Sequence, residues 1–482
     1  MQAIDKDRDE YLYRQVFDLV SRNIESGALR PGDRLPSLRQ MSRQAGVSIP
    51  TVRQAYVELE RQRRIESRPQ SGFYVRAARE MRLVRPSPPF SPVQKPVPVR
   101  RRSLLDRVND GLLSPGLVPL GVANPCMARS AAKGLHRAMK RVMARAEERS
   151  LMYAPTCGEP ALKRQIAFRY LDTLGISVDP QDVCITSGAQ EALSIALQAV
   201  AGRGDVIAVE SPTYHGLLDL IESLGMLAIE VETCPEEGVT LSALEKTLQA
   251  HPVRACIFST TLNNPLGVSM PEQDRRRLAA LIDRHDVVLI EDDVYGELRF
   301  DGVRPRPAAS FIQSGRVMTC GSFSKTAAPG YRIGWLLAGR YRDEVRRLKR
   351  ALSCSSGLLQ QLTLADFLAS GDYDRHLKSL RPVLKRNAER MSACVARYFP
   401  AETRTSSPVG GSVLWLELPG AIDSVALFDE ALAEGISIAP GPVFSPCDRY
   451  QSFIRLSFGH TWRADTETAL GWLGRRARTL AA

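Results

Sequence analysis

The chain has 482 residues, 44% hydrophobic and 24% charged, which is enough to bury full cores and by length alone allows about three ordinary domains. That balance excludes a disordered chain. The densely charged start MQAIDKDRDE does not read as a signal peptide, and no apolar run reaches the ~20 residues of a membrane helix, so the expectation is a cytoplasmic protein without a membrane partner. The net charge of +12 is local. Residues 1–107 hold 22 Lys and Arg against 12 Asp and Glu, a net +10, which leaves +2 for everything after. A basic segment on a nearly neutral body points to nucleic acid as the partner of the small part only. The nine cysteines form no CxxC pair and have no histidine at metal-ligand spacing, so they read as reduced thiols and no metal is expected.

Along residues 9–27, Tyr13, Val16, Phe17, Val20 and Ile24 recur at helical spacing, with a stop near Gly27 before Pro31-Gly32. Ser37 offers an N-cap for a second helix in LPSLRQMSRQ, and Ala45-Gly46-Val47 makes a turn. Ser48 then caps SIPTVRQAYVELERQ, where Pro50 sits in the tolerated first turn and Val52, Tyr56 and Leu59 face inward. RIESRPQSGFYV follows as two short extended pieces around Pro69 and Gly72, a hairpin. Helix, helix, turn, helix and hairpin is the order of a winged helix-turn-helix.

Through PGDRLPSLRQMSRQAGVSIPTVRQAYVELE and RPQSGFYV, this part resembles the GntR family of bacterial transcription regulators over about residues 8–77. The resemblance implies that double-stranded DNA is contacted by Arg39, Thr51 and Arg53, with Ser37, Ser48 and the wing tip Ser71-Gly72 near the phosphates. The chemistry fits, because a helix N-terminus presents free amides to a phosphate and an arginine pairs bidentately with guanine. Residues 78–103 are crowded with proline and arginine and lack a hydrophobic period, so they read as an extended, semi-rigid linker.

From about residue 104 the strand-like runs VCIT, VIAVE, ACIFS, VVLIED and RVMTC alternate with helical segments such as AQEALSIALQAV and PEQDRRRLAALIDRH. That is an α/β pattern, a mostly parallel sheet covered by helices over 104–339. Residues 340–482 change to long helices with the short strands SVLWLEL and SFIRLSF, a smaller α+β subdomain. No internal repeat is visible.

Ligands of parallel sheets sit at the carboxyl ends of the strands. The runs that follow these strands are SGAQEAL, SPTYHG, TTLNNPLG, DDVYGE and GSFSK. Together they offer an amine for an imine, an acid for a ring nitrogen, donors for a ring oxygen, an aromatic face and an anion cradle, which describes a site for pyridoxal phosphate. SFSKTAAPGYRIG, NNPLG, EDDVY and SGAQEAL resemble the fold-type I aminotransferases, over roughly residues 115–480.

By that resemblance Lys325 is the Schiff-base lysine, Asp292 the acid under the pyridine nitrogen, and Tyr295 with Asn264 the pair at the phenolic oxygen. Tyr214 stacks on the ring. Ser322, Ser324, Arg332 and the amides of Gly188, Ala189 and Gln190 cradle the phosphate. Tyr153 reaches the phosphate of a neighbouring subunit, which implies a homodimer, and Arg455 clamps a substrate carboxylate. Glu291 and Asp293 have no matched role and read as structural. Lys163 stands where the family often has arginine, and Gly216 where some regulators of this kind have one.

A GntR-like reader joined to an aminotransferase-like body resembles the MocR/GabR group of bacterial regulators over nearly the whole chain. The resemblance implies a transcription factor dependent on pyridoxal 5'-phosphate that senses a small amino compound, or the cofactor itself. The catalytic set is complete by type, so the sequence leaves open a working aminotransferase that passes its amino group to a 2-oxo acid.

Overall fold

The structure is a computed structural model that describes residues 11–25, 28–29, 33–61, 64–68, 72–75, 86, 95–99, 102–113, 116–123, 129–420, 422–447 and 449–481. Two compact units divide the chain, Met1–Leu83 and Val84–Ala482.

The first unit carries α1 (Leu12–Glu25), α2 (Leu38–Ala45), α3 (Ile49–Arg61) and an antiparallel hairpin of β1 (Ile65–Arg68) and β2 (Gly72–Val75). Val16, Val20, Val52, Tyr56 and Leu59 are buried together as the spacing predicts, while Tyr13, Phe17 and Ile24 pack at the margin of that core. The expected stop of α1 at Gly27 and the turn around Pro69 lie outside the described residues. One feature is absent from the sequence reading. Residues 33–35 run alongside β2, where Leu35 N donates to Phe73 O at 2.8 Å and Val75 N to Asp33 O at 2.9 Å, so the wing has a third extended piece.

The second unit begins with β3 (Val97–Pro98), α4 (Arg102–Leu113), β4 (Val118–Pro119), α5 (Arg129–Ala146) and α6 (Pro160–Leu174). Then come β5 (Val183–Thr186), α7 (Ala189–Val200), β6 (Val206–Ser211), α8 (His215–Ser223), β7 (Leu227–Cys234), β8 (Gly238–Val239) and α9 (Leu241–Ala250). They are followed by β9 (Val253–Phe258), α10 (Glu272–His285), β10 (Val288–Asp292), β11 (Val317–Ser322) and β12 (Gly334–Leu337). The main sheet has the order β3-β7-β6-β9-β10-β11-β12-β5, with β8 beside β7.

Strands β7, β6, β9, β10 and β11 are parallel to one another, and β12 is antiparallel to both β11 and β5. One reversed strand therefore brings β5 back into the common direction, and the carboxyl end of β5 opens on the same edge as those of β6, β9, β10 and β11. Both faces are covered. Ile207, Val209, Val288 and Ile290 face one core, and Val206, Ala208 and Leu289 face the other, as period-two alternation requires.

The remainder holds α11 (Arg342–Ser353), α12 (Leu358–Ala369), α13 (Asp372–Tyr398), β13 (Arg404–Thr405), β14 (Val413–Glu417), α14 (Ser424–Ala433), β15 (Ile436–Ser437), β16 (Ala439–Pro440), β17 (Phe453–Ser457) and α15 (Ala464–Ala481). A second sheet in the order β13-β14-β17-β16 is the expected α+β subdomain.

Two early segments depart from the sequence reading. The end of the expected linker is not a free spacer, because β3 pairs antiparallel with β7 and Val99 is 4% exposed. The start of the expected large domain is tied to the smaller subdomain, since β4 pairs with β15 and Arg107 forms an ion pair with Asp429. Apolar residues too few to show a period, such as Val97 and Val99, still dock an extended edge. Among the described residues no helix is long and apolar enough to cross a membrane, and no cluster of metal-ligating side chains occurs.

Candidate functional site

The strand ends of the second unit surround a cavity of about 550 Å³. Eleven of the thirteen residues expected around the cofactor or its substrate line it: Ala189, Gln190, Tyr214, Asn264, Asp292, Tyr295, Ser322, Ser324, Lys325, Arg332 and Arg455. Gly188 lies against the guanidinium of the lining residue Arg332, while Tyr153 lines no part of the cavity and is 87% exposed.

Lys325 follows β11 in a tight turn, and its Nζ donates to Ala123 O at 2.8 Å. Burial and the nearby Arg455 push its amine down from 10.5 to about 8, against the attraction of Asp292. The shift moves the amine toward its neutral, nucleophilic form. Asp292 closes β10 and accepts a backbone hydrogen bond from Val294 N at 3.3 Å. Burial raises its carboxyl to about 7, so it is poised to take a cationic partner. Burial likewise raises the Tyr295 phenol, whose hydroxyl has no hydrogen-bond partner in the protein.

Arg455 on β17 is 1% exposed. Its Nη1 donates to Asn264 Oδ1 at 3.0 Å, its Nη2 to the carbonyl of Gly121, and its Nε has no partner. Burial pulls this guanidinium down to about 10.

The anion cradle is built from backbone and hydroxyls. Helix α7 begins after Gly188 without a side-chain cap, which leaves its first amides to an outside acceptor. Gly188 has φ +82°, and a Cβ there would fall 2.6 Å from Arg332 Nη2, so only glycine lets the guanidinium lie against the helix start. Arg332 Nη2 donates to Ser187 O at 3.2 Å, and Ser322 Oγ bonds Ser324 Oγ at 3.0 Å. Gly216 also has a steric reason, because a Cβ at this position would meet the Tyr214 ring at 2.6 Å.

Two groups were invisible to the sequence reading. His215 lines the cavity 8% exposed, with Nδ1 unpartnered, and burial together with Arg455 pushes its imidazole down to about 3, so it is neutral. Lys349 on α11 is fully buried, donating to Glu191 Oε2 at 2.8 Å and to Ser356 Oγ at 3.0 Å. The Glu191 carboxylate accepts Ser187 N, so the Ser187 peptide is held on one side by this pair and on the other by Arg332. Neither carries a motif, and the Lys349–Glu191 contact spans 158 positions.

Glu291 and Asp293 are structural as expected. The former accepts from Thr260 Oγ1 and the Ala308 and Ala309 amides, and the latter pairs with Arg304 at 2.5 Å.

The residues fit pyridoxal 5'-phosphate. An orphaned buried phenol, an acid among strand ends, a lysine shifted toward its neutral form and a cradle closed to any Cβ match an aldehyde, a ring nitrogen and a phosphate in one molecule.

In the first unit Ser37 Oγ accepts Gln40 N at 3.3 Å, and Ser48 Oγ accepts Thr51 N at 3.3 Å while sharing a 2.7 Å hydrogen bond with Thr51 Oγ1. Both serines are helix caps, and both are exposed. Arg39, in the first turn of α2, and Arg53, in the second turn of α3, are exposed, as is Gly72 at the start of β2. Ser71 lies outside the described residues.

Known proteins show the same division. Residues 12–75 match the GntR family of bacterial regulatory proteins, and residues 115–471 match aminotransferase class I and II. The uncharacterized HTH-type transcriptional regulators YdcR and YjiR of Escherichia coli strain K12 are 38% and 37% identical. Their alignments cover 96% and 92% of this chain and 98% and 94% of theirs. Among solved structures, kynurenine aminotransferase from Pyrococcus horikoshii, in complex with PMP and with KYN and KYA, superposes with a TM-score of 0.73 at 26% identity, over 79% of this chain and 95% of that one. The chain belongs to the MocR-type transcriptional regulators, in which a GntR-type helix-turn-helix precedes a class I and II aminotransferase domain whose cofactor is pyridoxal 5'-phosphate.

Proposed function

We propose that this regulator holds its cofactor on Lys325 and uses it to sense a small amino compound that carries a carboxylate, acting on cytoplasmic DNA. The observation that carries the reading is Arg455. It is buried beside Lys325, its bonded neighbours Asn264 and Gly121 are neutral, and its Nε is unpartnered. A buried guanidinium without a carboxylate is held at a cost, which a bidentate ligand carboxylate offsets.

The cofactor supplies an aldehyde that bonds an amine and a ring that withdraws electrons from it. The chain's own residues do the rest. Lys325 presents an amine shifted toward its neutral form, and Asp292 holds a proton at the ring nitrogen. Tyr295 Oη and Asn264 Nδ2 donate at the ring oxygen, Tyr214 covers one face, and Ser322, Ser324, Arg332 and the amides of Gly188, Ala189 and Gln190 hold the phosphate. A run of exposed apolar side chains, Leu151, Met152 and Tyr153 at 85%, 66% and 87%, fits an interface, so we place Tyr153 at the phosphate of a second copy in a homodimer. On DNA, Arg39, Thr51 and Arg53 read the groove, and Ser37, Ser48 and the wing tip Ser71-Gly72 approach the phosphates.

Sensing requires that ligand affinity differ between DNA-bound and free protein. Operator binding at fixed salt, with cofactor saturated and a panel of amino acids added, tests this directly. An affinity unchanged by every amino acid that occupies the site sinks the sensing role. A second reading, a working aminotransferase with an appended reader, is favoured by the presence of the lysine, acid, phenol and carboxylate clamp in one cavity. Sustained transfer to a 2-oxo acid, absent in Lys325→Ala, would establish it.

A further inference from the structure

Cys157 and Cys184 are far apart in sequence and adjacent in the fold. Cys157 lies in the loop before α6, and Cys184 lies on β5. Ile185 N donates to Cys157 O at 3.0 Å, so the loop runs along the strand, and Cys157 packs against the core that contains Cys184. Gly158 makes that approach possible, since a Cβ there would lie 2.1 Å from Ile185 Cγ1.

The pair is asymmetric. Cys184 is 2% exposed in the core beside the sheet, while Cys157 is only half-buried against the same core. Two cations, Lys163 and Arg346, flank Cys157. The hydrogen bond from Cys184 and these cations hold the Cys157 thiol below its usual range, and the same hydrogen bond with burial holds Cys184 above it. Lys163, unexplained by any role at the cofactor, acquires one here. A reactive cysteine is a thiolate in a cationic, reachable place, and a resolving cysteine stands next to it.

We propose that Cys157 and Cys184 are a reversible redox pair, in which Cys157 meets a hydroperoxide and Cys184 resolves the product. The Cys157 sulfur attacks the peroxide, forming an S–O bond as the O–O bond breaks, and the alcohol or water leaves after taking a proton. The Cys184 sulfur then attacks Cys157, forming the S–S bond as the S–O bond breaks, and the hydroxide takes the Cys184 proton to leave as water. Two thiols and one hydroperoxide give one disulfide, one alcohol and one water; a dithiol reverses it. Cys184 directly precedes Ile185, the residue whose amide bonds Cys157 O, and a disulfide between the two cysteines requires a Cα separation of ~4.4–6.8 Å. The bond would tie the loop that carries Tyr153 to β5, directly before Ser187 and Gly188.

The test uses the reduced full-length protein and hydrogen peroxide, with remaining thiols alkylated and peptides mapped by mass. The expected product is a Cys157–Cys184 cross-linked peptide that dithiothreitol removes. Its rate should rise with pH around a midpoint below the ordinary thiol value of ~8.5. Cys184→Ser should leave a sulfenic acid on Cys157 that dimedone traps, and Cys157→Ser should give no cross-link at Cys184. Peroxide that oxidises the exposed Cys354 and Cys447 first while Cys157 and Cys184 stay alkylatable overturns the proposal, as does a cross-link that joins Cys157 to another cysteine. Because the wild-type mapping needs no variant, a poorly folding variant leaves the test intact.

Discussion

Lys325→Met removes a buried ammonium while keeping an unbranched side chain of similar length, and its effect on the cofactor-free protein has a calculable sign. The amine sits at about 8 in the fold against 10.5 ordinarily. At 1.36 kcal/mol per pKa unit, carrying the charge into the cavity costs the folded state about 3 kcal/mol at pH 7. The folded value lies below the unfolded one, so the cost is full below about pH 8, falls to about 1 kcal/mol at pH 10, and vanishes above 10.5, where the amine is neutral in both states. The cofactor-free variant should therefore be more stable than wild type by up to about 3 kcal/mol at pH 7, less what Asp292 loses with its cation, and the gap should shrink by pH 10. Guanidinium unfolding followed by tryptophan fluorescence reads this cleanly, because all four tryptophans, Trp335, Trp415, Trp462 and Trp472, lie in the second unit. With saturating pyridoxal 5'-phosphate the order should reverse if Lys325 holds the cofactor as proposed. A cofactor-free variant that is less stable at pH 7, or a gap that does not narrow with pH, would refute the burial argument.

Other expectations concern separate residues. Lys349→Met should destabilise the second unit by about 3–5 kcal/mol, by leaving Glu191 without its cation, and Glu191→Gln added to it should restore part of that loss in the same unfolding assay. If the pair acts by holding the Ser187 peptide, single Lys349→Met should also weaken pyridoxal 5'-phosphate more than pyridoxal; equal losses would leave it a structural pair only. With cofactor loaded, Arg455→Met should weaken amino acids about 10- to 100-fold while sparing amines without a carboxylate, read by spectral titration. Arg53→Ala should cost operator binding about 1–3 kcal/mol at fixed salt and relax one base position; an intact operator preference would remove Arg53 from the reader.

How far the sequence reached depended on whether a signal was local. Helix caps at Ser37 and Ser48 and the apolar runs of β5, β6, β9, β10 and β11 are short-range, and the fold follows them. Residues at strand ends come together because parallel strands share one open edge, so Lys325, Asp292, Asn264 and Tyr214 could be grouped from order alone. What escaped depended on distant partners. β7 and β12 went unremarked, although β12 is what reverses β5 into register with the rest. β3 hides in a proline-rich run because a two-residue edge strand has no period to show. The Lys349–Glu191 pair and the Cys157–Cys184 contact join segments no spacing rule connects, and His215 was passed over beside the more familiar Tyr214.

The central claim is that one chain couples an amine-sensing cofactor to DNA. Operator affinity measured at fixed salt, with pyridoxal 5'-phosphate alone and then with amino acids, in wild type and Lys325→Ala, tests it most directly. The account predicts an affinity that shifts with an amino acid in the wild type and stays flat in Lys325→Ala, whose helix-turn-helix is untouched. Equal shifts in both proteins, or none in a wild type whose site is occupied, would contradict it.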